Sequence, residues 1–200
     1  MEEDSYRTIA AQVETALRER SSKFLACAWP VTSEEEIKGH LDSLRKKYYD
    51  ATHHCYAWRL GPGGEQYRAN DDGEPSGTAG KPILGQILSN DLTYCLIVVV
   101  RYFGGTKLGV PGLIAAYRDS AAEAIAAARI VEKTVDVTAD IEFPYEVLNG
   151  VMRVVKEHEP WVHSQDFDSV CRMRLSIRRG RSEALLSKLE KIEGITIQTR

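Results

Sequence analysis

The stretch Leu96-Ile97-Val98-Val99-Val100-Arg101-Tyr102-Phe103-Gly104-Gly105-Thr106-Lys107-Leu108-Gly109-Val110-Pro111-Gly112 runs from an unbroken apolar strand into a glycine-rich turn. A strand without polar alternation is one buried on both faces, so residues 92–102 are expected at the centre of a sheet. Beyond the turn, Leu113 to Ala128 is alanine-rich and reads as a helix. Its small side chains let it lie very close to that sheet. Upstream stands a second glycine-rich stretch, Gly73-Glu74-Pro75-Ser76-Gly77-Thr78-Ala79-Gly80-Lys81-Pro82. Glycine allows a tight backbone path but loses more chain entropy than any other residue. Two such segments beside one strand suggest backbone N–H groups gathered at a surface, with Lys81, Arg101 and Lys107 adding positive charge. That is chemistry for phosphate or another anion, and it names no reaction.

Outward from this centre the chain reads as two units. In the first, residues 1–133, Tyr6 to Val13 and Lys23 to Val31 have the β-branched and aromatic content of strands. Ser33 followed by Glu36 marks a capping box at the start of a helix, and Ile37, Leu41, Leu44 and Tyr48 give that helix one buried face. His53 to Leu60 alternates as a strand. Gly61-Pro62-Gly63-Gly64 turns it, and Gln66 to Ala69 returns as a hairpin partner. Ile83, Leu84, Ile87 and Leu88 suggest a short helix. In the second unit, residues 135–200, strands are expected at Val135 to Phe143, Trp161 to Phe167, Val170 to Ile177 and Ile195 to Thr199. Helices are expected at Tyr145 to Glu157 and from Ser182, as N-cap, to Ile192, with Gly194 as the stop. The order β-α-β-β-α-β is the ferredoxin-like pattern. The class is therefore α+β with two domains, joined by a short connection at Val131–Val135.

Composition narrows the function classes. A chain of 200 residues with 43% apolar content can bury a real core. Its formal charge of −3 argues against general coating of nucleic acid, so any such contact comes from a local patch. No apolar run approaches the roughly 20 residues that span a bilayer. The acidic start Met1-Glu2-Glu3-Asp4 does not resemble a signal peptide. Four widely spaced cysteines without a C-x-x-C point to a reduced, cytoplasmic setting.

Several sharper motifs fail on spacing. A nucleotide phosphate loop needs glycine where Pro75 stands and Ser or Thr where Pro82 stands. Asp71, Asp72 and Glu74 lack calcium-loop spacing and read as a solvated acidic turn. His53 and His54 point to opposite faces of a strand, and His53 with Cys55 supplies only two ligands for zinc. Cys55 and Cys95 lie in apolar strands, where a thiol is normally inert. Thr78 is a candidate cap for the helix after it, whose N-terminus attracts anions. Arg172 and Arg174 share one face of a strand. That face can hold RNA, but without stacking aromatics it reads first as salt-bridged and solvated.

Three runs together carry a family resemblance. They are Ala51-Thr52-His53-His54-Cys55-Tyr56-Ala57-Trp58-Arg59, then Asp71-Asp72-Gly73-Glu74-Pro75-Ser76-Gly77-Thr78-Ala79-Gly80, then Val99-Val100-Arg101-Tyr102-Phe103-Gly104-Gly105-Thr106-Lys107-Leu108-Gly109. In that order and spacing the chain resembles the IMPACT family, in particular its bacterial YigZ-like members. The resemblance covers the first unit to about Ala128. It implies that this unit shares the left-handed β-α-β fold of elongation factor G domain IV and the GHMP kinases. It implies that the second unit resembles the last domain of elongation factor G. The resemblance also implies that eukaryotic relatives regulate translation by competing for the activator of a kinase that acts on an initiation factor, and that those relatives carry a different N-terminal domain, which this chain is expected to lack. The faint likeness of Val110-Pro111-Gly112 to a GHMP phosphate loop lacks the paired serines.

The reading that follows is a translation-linked regulatory or binding protein without a cofactor or metal. It would engage RNA, the ribosome, a ribosome-associated protein or a phosphate-type anion. The expected binding residues are His53, His54, Asp72, Gly73, Glu74, Ser76, Gly77, Thr78, Gly80, Lys81, Arg101, Phe103, Gly104, Gly105 and Lys107. Main-chain amides and Lys107 would position the ligand. The alternative is a hydrolytic or phosphate-transferring enzyme using His53 or His54 as base beside Asp71 or Asp72, which requires hydrogen-bond reach between them. Oligomeric state is not legible.

Overall fold

The computed structural model describes residues 4–200, and the chain divides into two units, one ending at Lys133 and the other beginning at Thr134. The first is built on a five-stranded sheet. Its strands are β2 (Val13–Glu19), β3 (Ser22–Pro30), β6 (Cys95–Tyr102), β4 (His53–Leu60) and β5 (Gln66–Asn70), in that spatial order. All neighbours are antiparallel. The apolar run therefore lies at the centre, as its lack of alternation requires. β3 and β4 both oppose β6 and so run parallel to one another, joined by the crossover helix α1 (Glu34–Lys47).

Both faces of this sheet are covered. Helices α2 (Gly80–Ser89) and α3 (Gly109–Ala127) bury Ile83, Ile87, Leu113 and Tyr117 against Phe24, Ala26, Ala28, Cys55, Ala57, Ile97 and Val99. Alanines stand on both sides of that contact, at Ala26, Ala28 and Ala57 in the sheet and at Ala116, Ala121 and Ala124 in α3. They let α3 approach closely. On the other face Ile37, Leu41 and Leu44 of α1 meet Leu25, Cys27, Trp29, Trp58, Val98 and Val100. Each fully buried Val, Leu or Ile contributes roughly 1.5–3 kcal/mol, and Leu96, Ile97, Val98, Val99 and Val100 of β6 are all buried.

The start of α1 follows its sequence signature with one shift. Ser33 Oγ accepts from Glu36 N at 3.2 Å. Glu36 reaches past the cap and accepts from the backbone and hydroxyl of Thr32. The expected single strand over Tyr6 to Val13 is instead two: β1 (Ser5–Ile9), and β2, which begins at Val13. Most of the connection expected at Val131–Val135 is instead strand: β7 (Ile130–Thr134) pairs with β1 in a separate two-stranded sheet. Thr8 and Ile9 of β1 are buried.

The second unit runs β8 (Asp136–Pro144), one 3₁₀ turn, α4 (Leu148–His158), β9 (Trp161–Phe167), β10 (Val170–Arg178), α5 (Arg179–Leu189) and β11 (Thr196–Thr199). Its sheet has the order β11-β8-β10-β9, antiparallel throughout. The β-α-β-β-α-β order is the expected one. Val151, Val154, Val155, Leu185 and Leu189 from the helices pack on Ile141, Phe143, Met173 and Leu175. The N-cap expected at Ser182 is displaced: α5 begins at Arg179, and Ser182 Oγ donates back to the Arg179 carbonyl at 2.7 Å. The Arg179 amide, which has no acceptor within its own helix at this first position, donates to Val135 O at 2.7 Å, so the strand runs straight into the helix. On the open sheet face Arg174 makes two bonds to Asp140 (2.6 and 3.1 Å), and Arg172 makes one to Glu142 (3.0 Å). These are direct cross-strand partners, so that face is charge-compensated.

Replacing Ser33 with Ala is expected to lower the stability of the first unit by about 1 kcal/mol, read from urea unfolding, since it removes one capped amide of α1.

Candidate functional site

The two glycine-rich segments meet at one end of the five-stranded sheet, where β6 finishes and β4 begins. Their meeting point is an ion pair. Arg101 Nη1 donates to Glu74 Oε1 at 2.6 Å, and both side chains are about 95% buried. The same carboxylate oxygen accepts from Tyr117 OH of α3 at 2.8 Å and lies 3.7 Å from His53 Nε2. Arg101 Nη2 donates to Ser22 Oγ at 3.3 Å. The guanidinium is sandwiched by aromatic rings, 5.5 Å from the centroid of Phe24 and 5.4 Å from that of Phe103. A planar cation suits that position better than a lysine ammonium.

The first glycine-rich loop is organised around Asp71. Its Oδ1 accepts from Ala79 N (3.0 Å) and Gly80 N (2.8 Å), and its Oδ2 accepts from Gly77 N (2.8 Å). Burial disfavours the charged form, but the three amide bonds outweigh it and hold this carboxyl below the ordinary Asp range. The expectation of outward-looking amides is therefore corrected in this loop. Those of Gly77, Ala79 and Gly80 face an internal carboxylate, and those of Glu74 and Thr78 are taken by the carbonyls of Asp71 and Pro75. A flexible loop has many backbone donors, and a buried loop must satisfy them internally. Thr78 is buried, and its hydroxyl donates to Pro75 O at 2.6 Å, so it does not cap α2. Gly80 packs on the backbone of Asn70, where a Cβ would lie 2.5 Å from the Asn70 nitrogen.

The other expected residues separate into inner and outer groups. Arg101 and Glu74 are internal, which corrects their assignment to a solvent-facing charged surface. His54 is also buried: its amide donates to Asp72 Oδ2 at 2.6 Å, and its Nε2 has no partner. Burial lowers its pKa against the pull of Asp72. His53 is half-buried, and its Nδ1 bonds to the Asp72 carbonyl at 2.8 Å. A carbonyl only accepts, so Nδ1 carries the proton. Gly73, Ser76, Lys81, Phe103, Gly104, Gly105 and Lys107 are exposed.

The acid–base alternative changes with this geometry. Three of the roughly four acceptor positions on Asp71 are filled by amides. The carboxylate facing His53 is Glu74, which the sequence reading placed with the binding loop. Cys55 donates to Asp71 O at 3.0 Å and lies 3.3 Å from Tyr117 OH. Burial pushes the thiol of Cys55 up, and that of Cys95 up to about 12, so neither forms a thiolate readily. Among the described residues no three His, Cys, Asp or Glu side chains converge as a metal site, and no helix is long and apolar enough to cross a membrane. Tyr117, Ser22 and Thr52 were missed as site residues. Tyr117 carried a signal, because a tyrosine buried in an alanine-rich helix needs a partner for its hydroxyl.

Comparison with known proteins agrees with this architecture. The Impact N-terminal domain matches residues 20–125. The Escherichia coli IMPACT family member YigZ is 29% identical over 188 residues, covering 93% of this chain and 92% of that protein. A Saccharomyces cerevisiae IMPACT homologue is 37% identical over 98 residues, covering 46% of this chain and 37% of that protein. A crystal structure described as a hypothetical protein superimposes with a TM-score of 0.73 at 29% identity, covering 98% of this chain and 97% of that one. The chain belongs to the IMPACT family.

Two outcomes test the site. Glu74→Gln leaves Arg101 as an uncompensated buried cation and is expected to cost about 3 kcal/mol in urea unfolding. His54 has a folded pKa below its unfolded value of about 6.5, so its contribution is present above that pH and is lost as pH falls through the folded pKa. The urea midpoint is therefore expected to drop between pH 7.5 and 5.5, and His54→Gln is expected to flatten that drop.

Proposed function

We propose that this chain is a translation-linked binding protein whose contact surface is the end of the first unit where the two glycine-rich segments meet. The surface would engage RNA, the ribosome or a ribosome-associated protein. The observation that carries the reading is the buried Glu74–Arg101 pair. It ties two loops that are distant in sequence into one rigid rim, leaving Lys81, Phe103, Gly105 and Lys107 exposed around it. Family membership supports the link to translation, since the family includes eukaryotic members that regulate it. The same reading takes the first unit as kin to domain IV of elongation factor G and to the GHMP kinases, and the second as kin to the last domain of that factor.

On this reading the ligand is met by side chains rather than by a cradle of amides. Lys81 and Lys107 supply charge, and His53 and Ser76 supply hydrogen-bonding groups at the edge of the internal network. Asp72 and Gly73 hold His53 in place from below, the glycine at φ +88° with a would-be Cβ 3.4 Å from the imidazole. A cationic rim makes association fall with salt.

The reading is tested by co-sedimentation with ribosomes through sucrose at low and at physiological salt. The chain is expected to sediment with ribosomes at low salt. Exchange of both Lys81 and Lys107 for Glu is expected to reduce the bound fraction at least fivefold without changing the melting temperature. Absence of association at low salt, or association unmoved by the double exchange, overturns it.

A further inference from the structure

The hairpin that joins β2 and β3 turns at Arg20 and Ser21 and places three cations close together. Arg18 stands directly opposite Lys23, and Lys23 directly opposite Tyr102 of β6. Partners across antiparallel strands share a face, so these three form one row. Lys23 is two residues from Leu25 on β3, which puts the row on the α1 face of the sheet, opposite to the face on which Arg101 lies. α1 does not cover this corner. Ala16 and Arg18 are exposed, and Lys23 and Tyr102 are half-buried. Like charges directly opposite one another are unfavourable. Among the described residues neither Arg18 nor Lys23 has a carboxylate partner. Carboxylates of the same region are engaged elsewhere. Glu14, on the same face of β2, accepts from Lys47 Nζ at 3.4 Å and from Tyr48 OH at 3.0 Å, and it stands about 13 Å along the strand from Arg18. Asp50 accepts from Tyr102 OH at 2.9 Å. Glu19 points to the other face, opposite Ser22. At the tip Arg20 takes φ +50°, a turn position that suits glycine or asparagine, and its Nη1 donates to the Lys107 carbonyl at 3.2 Å rather than to a carboxylate.

An anion lying across β2 and β3 relieves the like-charge pair, and the chemistry of the strip says which kind. It presents Ala16, two cations and a tyrosine whose hydroxyl is already bonded, so it offers little apolar area. Protein interfaces are built on an apolar and aromatic core depleted of charge. Contacts with nucleic acid are the more positively charged kind, and most of their hydrogen bonds go to phosphate and sugar. Tyr102 packs against the α1 cluster, so it walls the strip rather than stacking a base. Recognition here is of a backbone, and a duplex provides one without unpairing its bases.

We propose that the Arg18–Lys23 row is a second contact surface of this chain, binding the phosphate backbone of double-stranded RNA without reading its sequence. A phosphate across the two strands accepts from both side chains and removes their mutual repulsion. The choice of RNA rests on the translation-linked reading above. The position does not, since neither Lys81 nor Lys107 belongs to the row. Arg18 and Lys23 belonged to no expected site, because only the strand register sets them side by side.

The test is fluorescence anisotropy of a labelled RNA duplex with the full chain, across a salt series. Joint Arg18→Gln and Lys23→Gln exchange is expected to weaken binding about tenfold at low salt, and to make the slope of log K against log salt shallower by about 1.8, the value for two lost phosphate contacts. The same exchange is expected to leave the melting temperature unchanged or higher, because it removes a repulsion. Joint Arg172→Gln and Arg174→Gln exchange takes the same charge from arginines that already face carboxylates, and it is expected to leave RNA affinity within about twofold of wild type. Duplexes of two unrelated sequences are expected to bind alike. Absence of duplex binding, or equal losses from the two double exchanges, overturns the proposal. So does displacement of the duplex by polyglutamate as readily as by unlabelled duplex, which marks a site for acidic protein. If ribosome association responds to the Lys81 and Lys107 exchange while the duplex does not bind, this proposal falls and the earlier reading stands. If the duplex binds through the row while ribosomes do not associate, the row stands and that reading falls.

Discussion

The first unit depends on one buried charge pair. Taking a carboxylate and a guanidinium out of water costs several kcal/mol per ion, and Glu74 and Arg101 meet that cost only by close geometry and further bonds. Tyr117 and Ser22 supply those bonds, and Phe24 and Phe103 cover the guanidinium faces. The pair thus draws together a loop after β5, the end of the central strand, the start of β3 and the middle of α3. An apolar replacement could fill the space, but it would not orient these four segments.

Asp71 plays a complementary part. Its carboxylate gathers three amides that a glycine-rich loop would otherwise leave to water. The loop is rigid because an internal anion occupies the space where an external one was expected. Anion chemistry is therefore present, but the anion is the protein's own. The side chains left exposed, Lys81, Phe103 and Lys107, lie outside it. The second unit shows the same economy on its open sheet face, where each arginine faces a carboxylate on the neighbouring strand. Arg172 and Arg174 are compensated within that sheet, whereas among the described residues Arg18, Arg20 and Lys23 of the β2–β3 hairpin have no carboxylate partner.

Much of the fold was legible because its signals are local. The unbroken Leu96–Val100 run placed β6 at the centre, the Ser33–Glu36 spacing started α1, and the alternation of β10 separated Met173 and Leu175 from Arg172 and Arg174. The errors also have local causes. Residues 10–12 turn without a strong turn residue, so β1 and β2 looked like one strand. Ile130–Thr134 is a strand only through pairing with β1, a partner more than a hundred residues away. Ser182 has the chemistry of a cap, but the Val135 carbonyl had already taken the first amide of α5. For the site, sequence named Glu74, Arg101, His53 and Phe103 as neighbours but could not assign inside and outside. Glycine-rich composition reports that a backbone bends tightly, not which way its amides point.

The order of residues determined by itself the two-unit α+β class, the central strand, and the membership of both glycine-rich segments in one neighbourhood. These follow from periodicity, turn chemistry and motif spacing, which act over a few residues. Only the tertiary structure decided that Arg101 is internal, that Asp71 consumes the loop amides, and that the β2–β3 hairpin rests on Gly104 of the second glycine-rich segment. Those outcomes depend on which buried polar groups find partners across the fold, and that choice is made when the whole sheet and its helices close around them.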